Sequence, residues 1–194
     1  MTRGHIIIGI GAKAYEQARL CQQSIAGATR IITRGHRHSE FPKDSRMARE
    51  IKVSLASNSP FDLTCYLDAD CRVFGDTEVG FRILEDGWDL MIVPSSQQGD
   101  KLLWHVGEGE RNWTLEELGY EPLQLQGGVF FFAKNERVAR FFEAWREEWL
   151  QWADVDQAAL LRALNRVPLK VWLFGWPWNS AKGTIIQHRF GAAR

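Results

Sequence analysis

Phe61-Asp62-Leu63-Thr64-Cys65-Tyr66-Leu67-Asp68-Ala69-Asp70 is an apolar, β-prone run that ends abruptly in two carboxylates separated by one residue. Phe61 to Leu67 reads as a strand, and the acidic turn marks where the chain leaves the sheet. Alternate side chains of a strand point the same way, so Asp68 and Asp70 converge on one point if the extended geometry persists past Leu67. Hard oxygen ligands of this kind suit Mg²⁺ or Mn²⁺, ions that keep positions open for substrate phosphates. A second reading stands beside it, in which Asp-x-Asp only caps a turn.

Outward from this run, the first half of the chain alternates short β-branched stretches with helical patterns, the signature of parallel strands joined by crossover helices. Strands are expected at His5–Ile10, Ala28–Thr33 and Asp89–Val93, and helices at Ala12–Ala26, Ser45–Ala56 and Val79–Leu84. From Ser95 to Gln124, Gly, Trp and acidic residues mix without periodicity, so this stretch is expected to hold little regular structure and to carry a functional loop. Gly127–Phe132 reads as a buried strand, Glu136–Trp152 and Val155–Leu164 as helices, and Leu169–Leu173 and Thr184–Gln187 as short strands. The expected fold class is α/β, a mixed, mostly parallel sheet flanked by helices. One domain is expected to span residues 1–194.

The 194 residues, 45% hydrophobic and 25% charged, are enough for one substantial core. Lys plus Arg and Asp plus Glu balance at 24 each, which gives no reason to expect duplex nucleic acid or an anionic membrane as the main partner. Cys21, Cys65 and Cys71 form neither an even set nor a C-x-x-C pair, so a disulfide framework and a thiolate zinc site are disfavoured and a reducing cytoplasm is expected. Ile6-Ile7-Ile8 is too short for a signal peptide, and no stretch is long enough to span a bilayer.

The order of motifs along the chain resembles the GT-A glycosyltransferases, especially the glycogenin-like and galactosyltransferase-like retaining family. Tyr66-Leu67-Asp68-Ala69-Asp70-Cys71-Arg72-Val73-Phe74-Gly75-Asp76 is similar to that family's acidic strand end. Gly128-Val129, Asp156-Gln157, Trp178-Asn179 and His188-Arg189-Phe190-Gly191 follow in the family's order. The resemblance implies a metal-dependent enzyme that transfers a hexose from a nucleotide-diphosphate sugar, a UDP-sugar by preference, to a hydroxyl acceptor with retention of configuration. It implies Mn²⁺ or Mg²⁺ held by Asp68, Asp70 and His188. It also implies donor contacts from Ile10, Gly11, Asp68, Ala69, Gln126, Gly127 and Gly128. Gln126 stands where relatives usually have Asn, which keeps an amide for sugar hydroxyls but lengthens it by one methylene.

Lys52, with Arg46 and Arg49 as alternatives, is placed by the resemblance to offset charge on the leaving diphosphate. Asp156 and Gln157 would meet the donor sugar, with Asp156 the first side chain to test as a nucleophile. Each residue also has an ordinary reading: a solvated helix lysine, a helix-capping aspartate, a packed histidine. Tyr15 is expected to stack on the base or to be a plain helix residue. Trp104, His105 and Trp113 are expected either to present acceptor-stacking surfaces or to fill the core beneath the loop.

Three other functions compete. Gly9-Ile10-Gly11-Ala12-Lys13-Ala14 fits the permissive G-x-G-x-x-A pattern of an NAD(P)-dependent oxidoreductase, although Thr33-Arg34 suits at best a 2′-phosphate rather than a free ribose. A sugar-1-phosphate nucleotidyltransferase would want G-x-G-T-R, which Gly9 to Lys13 does not match. A non-catalytic nucleotide or sugar binder is the third.

Overall fold

The computed structural model describes residues 1–33 and 44–193. Arg34 of the proposed 2′-phosphate contact lies outside the described residues. The central sheet has the order β2 (Thr29–Ile32), β1 (Arg3–Ile8), β3 (Leu63–Asp68), β6 (Leu125–Ala133), β5 (Leu90–Pro94), β7 (Val171–Leu173). β1 pairs in parallel with both β2 and β3, and β5 with β7. β6 runs antiparallel between β3 and β5, so five strands share one direction and one opposes them. The sheet is mixed and mostly parallel, as expected.

Strand alternation divides the core in two. Ile6, Ile8, Tyr66, Phe130 and Phe132 face one layer, where α6 (Glu136–Leu150) and α7 (Asp156–Arg166) deliver Phe141, Phe142, Trp145 and Leu160. Ile7, Cys65, Leu67, Val129 and Phe131 face the other, covered by α1 (Ala12–Gln23) and α4 (Glu78–Glu85) through Ala18, Cys21, Phe81 and Leu84. Burying each large side chain contributes about 1.5–3 kcal/mol, so both faces are needed to hold the sheet. No helix among the described residues is long and apolar enough to cross a membrane.

Two expectations are corrected, and one pairing is added. The helix predicted over Ser45–Ala56 is broken into α2 (Asp44–Lys52) and the single turn α3 (Leu55–Asn58). At the break Ser54 Oγ donates to the Glu50 carbonyl at 3.0 Å, the back-bonding by which serine bends helices. The stretch from Ser95 to Gln124 is not irregular throughout, since it holds a 3-10 turn at Gly99–Lys101 and the 11-residue α5 (Glu108–Leu118). α5 lacks an apolar stripe because it buries Glu110 and Thr114 beside Leu118, against a buried arginine of α7. Finally, β4 (Cys71–Val73) pairs antiparallel with β8 (Ile186–His188) in a small second sheet that joins residues more than a hundred positions apart.

Candidate functional site

In open α/β sheets, ligands gather where parallel strands end, and a cleft of about 1280 Å³ opens there above β1 and β3. Ile10, Gly11, Lys52, Asp68, Ala69, Asp70, Gln126, Gly127, Gly128, Asp156, Gln157 and His188 all line it. Tyr15 does not; it is 44% exposed on α1. Of the two alternatives to Lys52, Arg49 lines the cleft and Arg46 does not.

Register brings the late histidine to the acidic pair. Cys71 of β4 lies opposite His188 of β8, so the imidazole stands beside the turn that leaves β3. There, one ligand atom from each of Asp68, Asp70 and His188 lies within 4.8 Å of the other two. Each group is anchored by one atom and directed by another. Tyr66 Oη donates to Asp68 Oδ1 at 2.7 Å, while Oδ2 faces His188 Nε2 at 3.7 Å. The Gly191 N–H donates to Asp70 Oδ2 at 2.9 Å, while Oδ1 lies 3.2 Å from the same Nε2.

His188 Nδ1 is 2.8 Å from Asn179 Oδ1, and Asn179 Nδ2 donates to the Gln126 carbonyl at 3.4 Å. That second bond fixes which way the amide points, so Nδ1–H is the donor and Nε2 is the ring nitrogen turned towards the two carboxylates. Nε2 and one oxygen of each carboxylate therefore converge. Two carboxylates and an imidazole are a donor set that suits Mn²⁺ or Mg²⁺.

Backbone shape completes the approach. The β5–β6 register jumps between Ile92 and Val93, placing Gly127 and Gly128 in an irregularity of β6 at the cleft floor. A Cβ on Gly128 would sit 2.4 Å from His188 Cε1 and 3.0 Å from Asp68 Oδ2, so only glycine admits both side chains. Asp70 is not outside the core as its place at a strand end suggests. It is 5% exposed, and with the bond from Arg189 N to its carbonyl it ties down the C-terminal segment.

Lys52 is equally unlike a solvated helix lysine. It is buried, with Nζ 2.7 Å from Asp156 Oδ2 and 3.6 Å from Asp68 Oδ1. Burial pulls its pKa down, but the two carboxylates outweigh burial and raise it, so the ammonium is kept. Burial likewise pushes Asp156 up, and Lys52 outweighs it and holds the carboxyl below the usual range. Asp156 is fixed from behind by tryptophans of α6. Trp145 Nε1 donates to its carbonyl and Trp149 Nε1 to that of Asp154, each at 3.0 Å. Asp156 is thus more than a helix cap.

The opposite wall comes from the segment after β5. Trp104 and His105 line the cleft, with His105 Nε2 hydrogen-bonded to Gln157 Oε1. Trp113 does not line it; its ring lies on Trp152 and under the Arg162 guanidinium, 4.4 Å away. Asn179, Tyr66 and Phe190 stand within the motifs that carry the resemblance, but the sequence assigned none of them a role in the site. Asn179 stood in the Trp178-Asn179 pair, which was the available signal. Tyr66 heads the acidic strand-end motif, and its bond to Asp68 needed the structure.

No protein-family model matches the sequence, and no curated protein does. Solved structures with similar folds do. Mouse xyloside xylosyltransferase 1, in its apo form, superposes with a TM-score of 0.63 at 10% identity over 100% of this chain and 99% of that one. A glycosyltransferase involved in glycosylation of the major capsid of PBCV-1 gives 0.62 at 11%, over 96% and 93%. The galactosyltransferase LgtC, in complex with donor and acceptor sugar analogues, gives 0.57 at 14%, over 97% and 87%. With its antiparallel β6 and its cleft above the ends of β1 and β3, the chain has the fold of the GT-A glycosyltransferases.

Proposed function

We propose that this protein is a soluble, cytoplasmic, metal-dependent glycosyltransferase that moves a hexose from a UDP-sugar onto a hydroxyl acceptor with retention of configuration. The observation that carries the reading is the convergence of Asp68, Asp70 and His188, each anchored on its far side, in a cleft above the strand ends of a GT-A fold. These three side chains would hold Mn²⁺ or Mg²⁺, which when bound neutralises charge on a departing diphosphate.

The nucleotide diphosphate is assigned to the side formed by Gly11, Ala12, Lys13 and Ala14. No side chain caps the N-terminus of α1 there, so its backbone N–H groups and positive dipole end remain for phosphate. This accounts for the G-x-G-x-x-A pattern without a nicotinamide. Lys52 is reassigned: with its ammonium on Asp156 and Asp68, it orients those carboxylates, and Lys13 and Arg49 become the cations for the phosphates.

Asp156 stays ionised beside the developing positive charge of the sugar. The Lys52 ammonium at 2.7 Å weakens it as a nucleophile, which favours transfer on one face of the sugar. In that route the bond from the anomeric carbon to the phosphate oxygen breaks, the acceptor oxygen bonds to the same carbon, and its proton passes to the leaving phosphate. Gln157 and Gln126 supply amides for sugar hydroxyls.

Calorimetric titration of UDP with and without Mn²⁺, followed by a screen of UDP- and GDP-sugars for hydrolysis, tests this reading. UDP should bind only with the metal. Asp70→Asn, which keeps an acceptor for Gly191, should weaken Mn²⁺ binding by roughly 100-fold, about 2.7 kcal/mol. Metal-independent UDP binding, or unchanged Mn²⁺ affinity in this variant, would sink the proposal. Binding without turnover of any donor would leave a nucleotide-sugar binder.

A further inference from the structure

We infer that Trp104 is a preformed stacking platform for a saccharide ring, which makes the acceptor a carbohydrate rather than a protein hydroxyl. The inference rests on the donor-site reading above. Trp104 is 62% exposed, although Leu102, Leu103 and Val106 around it are almost wholly buried. The side chain of the segment best suited to the core is the one held out of it, facing the cleft.

The backbone is built to keep it there. Leu103 has φ of 54°, the left-handed region that a branched-chain residue rarely adopts, and its N–H is bonded at 2.7 Å to Oε1 of the buried Gln124. Gln98 and Gln124 clasp each other through Gln124 N to Gln98 Oε1 at 3.0 Å and Gln98 Nε2 to Gln124 O at 2.9 Å. On the far side, His105 bonds Gln157 next to Asp156. Strain held by buried hydrogen bonds on both flanks is the expected signature of a side chain whose position matters.

The surroundings select the ligand. A sugar offers an apolar C–H face and a rim of hydroxyls. Here a flat indole shares the wall with Ser95, Ser96, Gln97 and Gln157, whose hydroxyls and amides both donate and accept. Ser95, Ser96, Gln97 and Gln157 carry no charge, so they suit hydroxyls rather than ionic groups. The nucleotide base is assigned elsewhere because Gly11 and the start of α1 belong to the β1 edge of the cleft, whereas Trp104 is tied to α7.

The test uses protein labelled with 5-fluorotryptophan and loaded with UDP and Mn²⁺, the Trp104 resonance being identified by its loss in Trp104→Phe. Lactose, cellobiose, maltose and a Ser/Thr-containing hexapeptide are titrated separately. At least one disaccharide should move the Trp104 signal and the peptide should not. Trp104→Ala should weaken that disaccharide by roughly tenfold, with Trp104→Phe restoring most of it and UDP affinity staying within about twofold. The inference is overturned if no disaccharide perturbs Trp104, if the alanine variant binds sugar as well as the parent, if the peptide alone acts, or if the variant loses UDP instead. Failure of the parent to bind UDP with Mn²⁺ would instead remove the donor reading and is seen in the same calorimeter.

Discussion

The two walls of the cleft are built by different means. The sheet wall takes Asp68 from the end of β3, Asp70 from the turn after it and His188 from β8, and strand register alone brings them together. The loop wall has no register. Trp104 and His105 belong to a segment between β5 and β6 that is fastened by buried polar groups: the Gln98–Gln124 clasp at one end and the Arg162 cluster under α5 at the other. The first wall is therefore determined by the fold, whereas the second depends on a few side-chain networks that can be cut without touching the sheet.

Cutting the Arg162 cluster has the largest expected effect. Arg162 is fully buried and bonds Glu110 at 3.2 Å, Glu148 at 3.0 Å, Thr114, and the Trp113 ring. Arg162→Leu leaves Glu110 buried without its cation, and removing one partner of such a cluster costs about 3–5 kcal/mol. Urea unfolding should show that loss. Native-state hydrogen exchange should show it first in α5, while the amides of β1 and β3 keep their protection. Equal loosening of α5 and of the sheet would mean that the walls are not independent.

Asn179 tests the sheet wall with a smaller effect. It does not line the cleft; its role is to hold His188 with Nδ1–H on its amide oxygen and Nε2 towards the carboxylates. Asn179→Leu should weaken Mn²⁺ binding by about 10- to 100-fold, read by electron paramagnetic resonance, with little change in unfolding free energy. Asn179→Asp, which still accepts from Nδ1–H, should restore most of the affinity. If Leu and Asp behave alike, Asn179 acts through packing and the tautomer argument fails.

The same division governs what the sequence made legible. The convergence of Asp68 and Asp70 was legible because the two are near in sequence, although the turn at residues 69–70 after β3, rather than strand alternation, brings Asp70 back. That of His188 was not, since its approach depends on the pairing of Cys71 with a residue at the far end of the chain, and only the order of family motifs pointed to it. Lys52 was brought to the site by the family resemblance alone, because helix periodicity says nothing about the buried carboxylate it meets. α5 was invisible because its buried face is polar: Glu110 and Thr114 satisfy Arg162, so no 3.6-residue apolar stripe exists to be read. Of the two readings of Trp113, packing beneath the loop is the one that holds, and its partner there is a cation that comes from α7. Local patterns thus revealed the strands and the acidic turn, and the networks that shape the loop wall were left to tertiary packing.

His5 gives the smallest effect and separates the sheet's own stability from the chemistry at its edge. It lies on β1 and does not line the cleft; Nε2 is 3.1 Å from Thr77 Oγ1, and the ring meets Phe81 edge-on. Burial pushes its pKa below the ordinary 6.5, and the Ala28 carbonyl only partly offsets that. Below pH 6.5 the unfolded chain therefore takes up a proton that the folded chain refuses. Stability contributed by the neutral ring is complete above that pH and falls as pH drops towards the folded value, by at most about 1.4 kcal/mol per pH unit. Urea midpoints between pH 7.5 and 5 should show this decline in the parent and a shallower one in His5→Asn. An equally steep decline in the variant would assign the acid sensitivity to carboxylates of the cleft, and the sheet could no longer be treated as a passive support for its own wall.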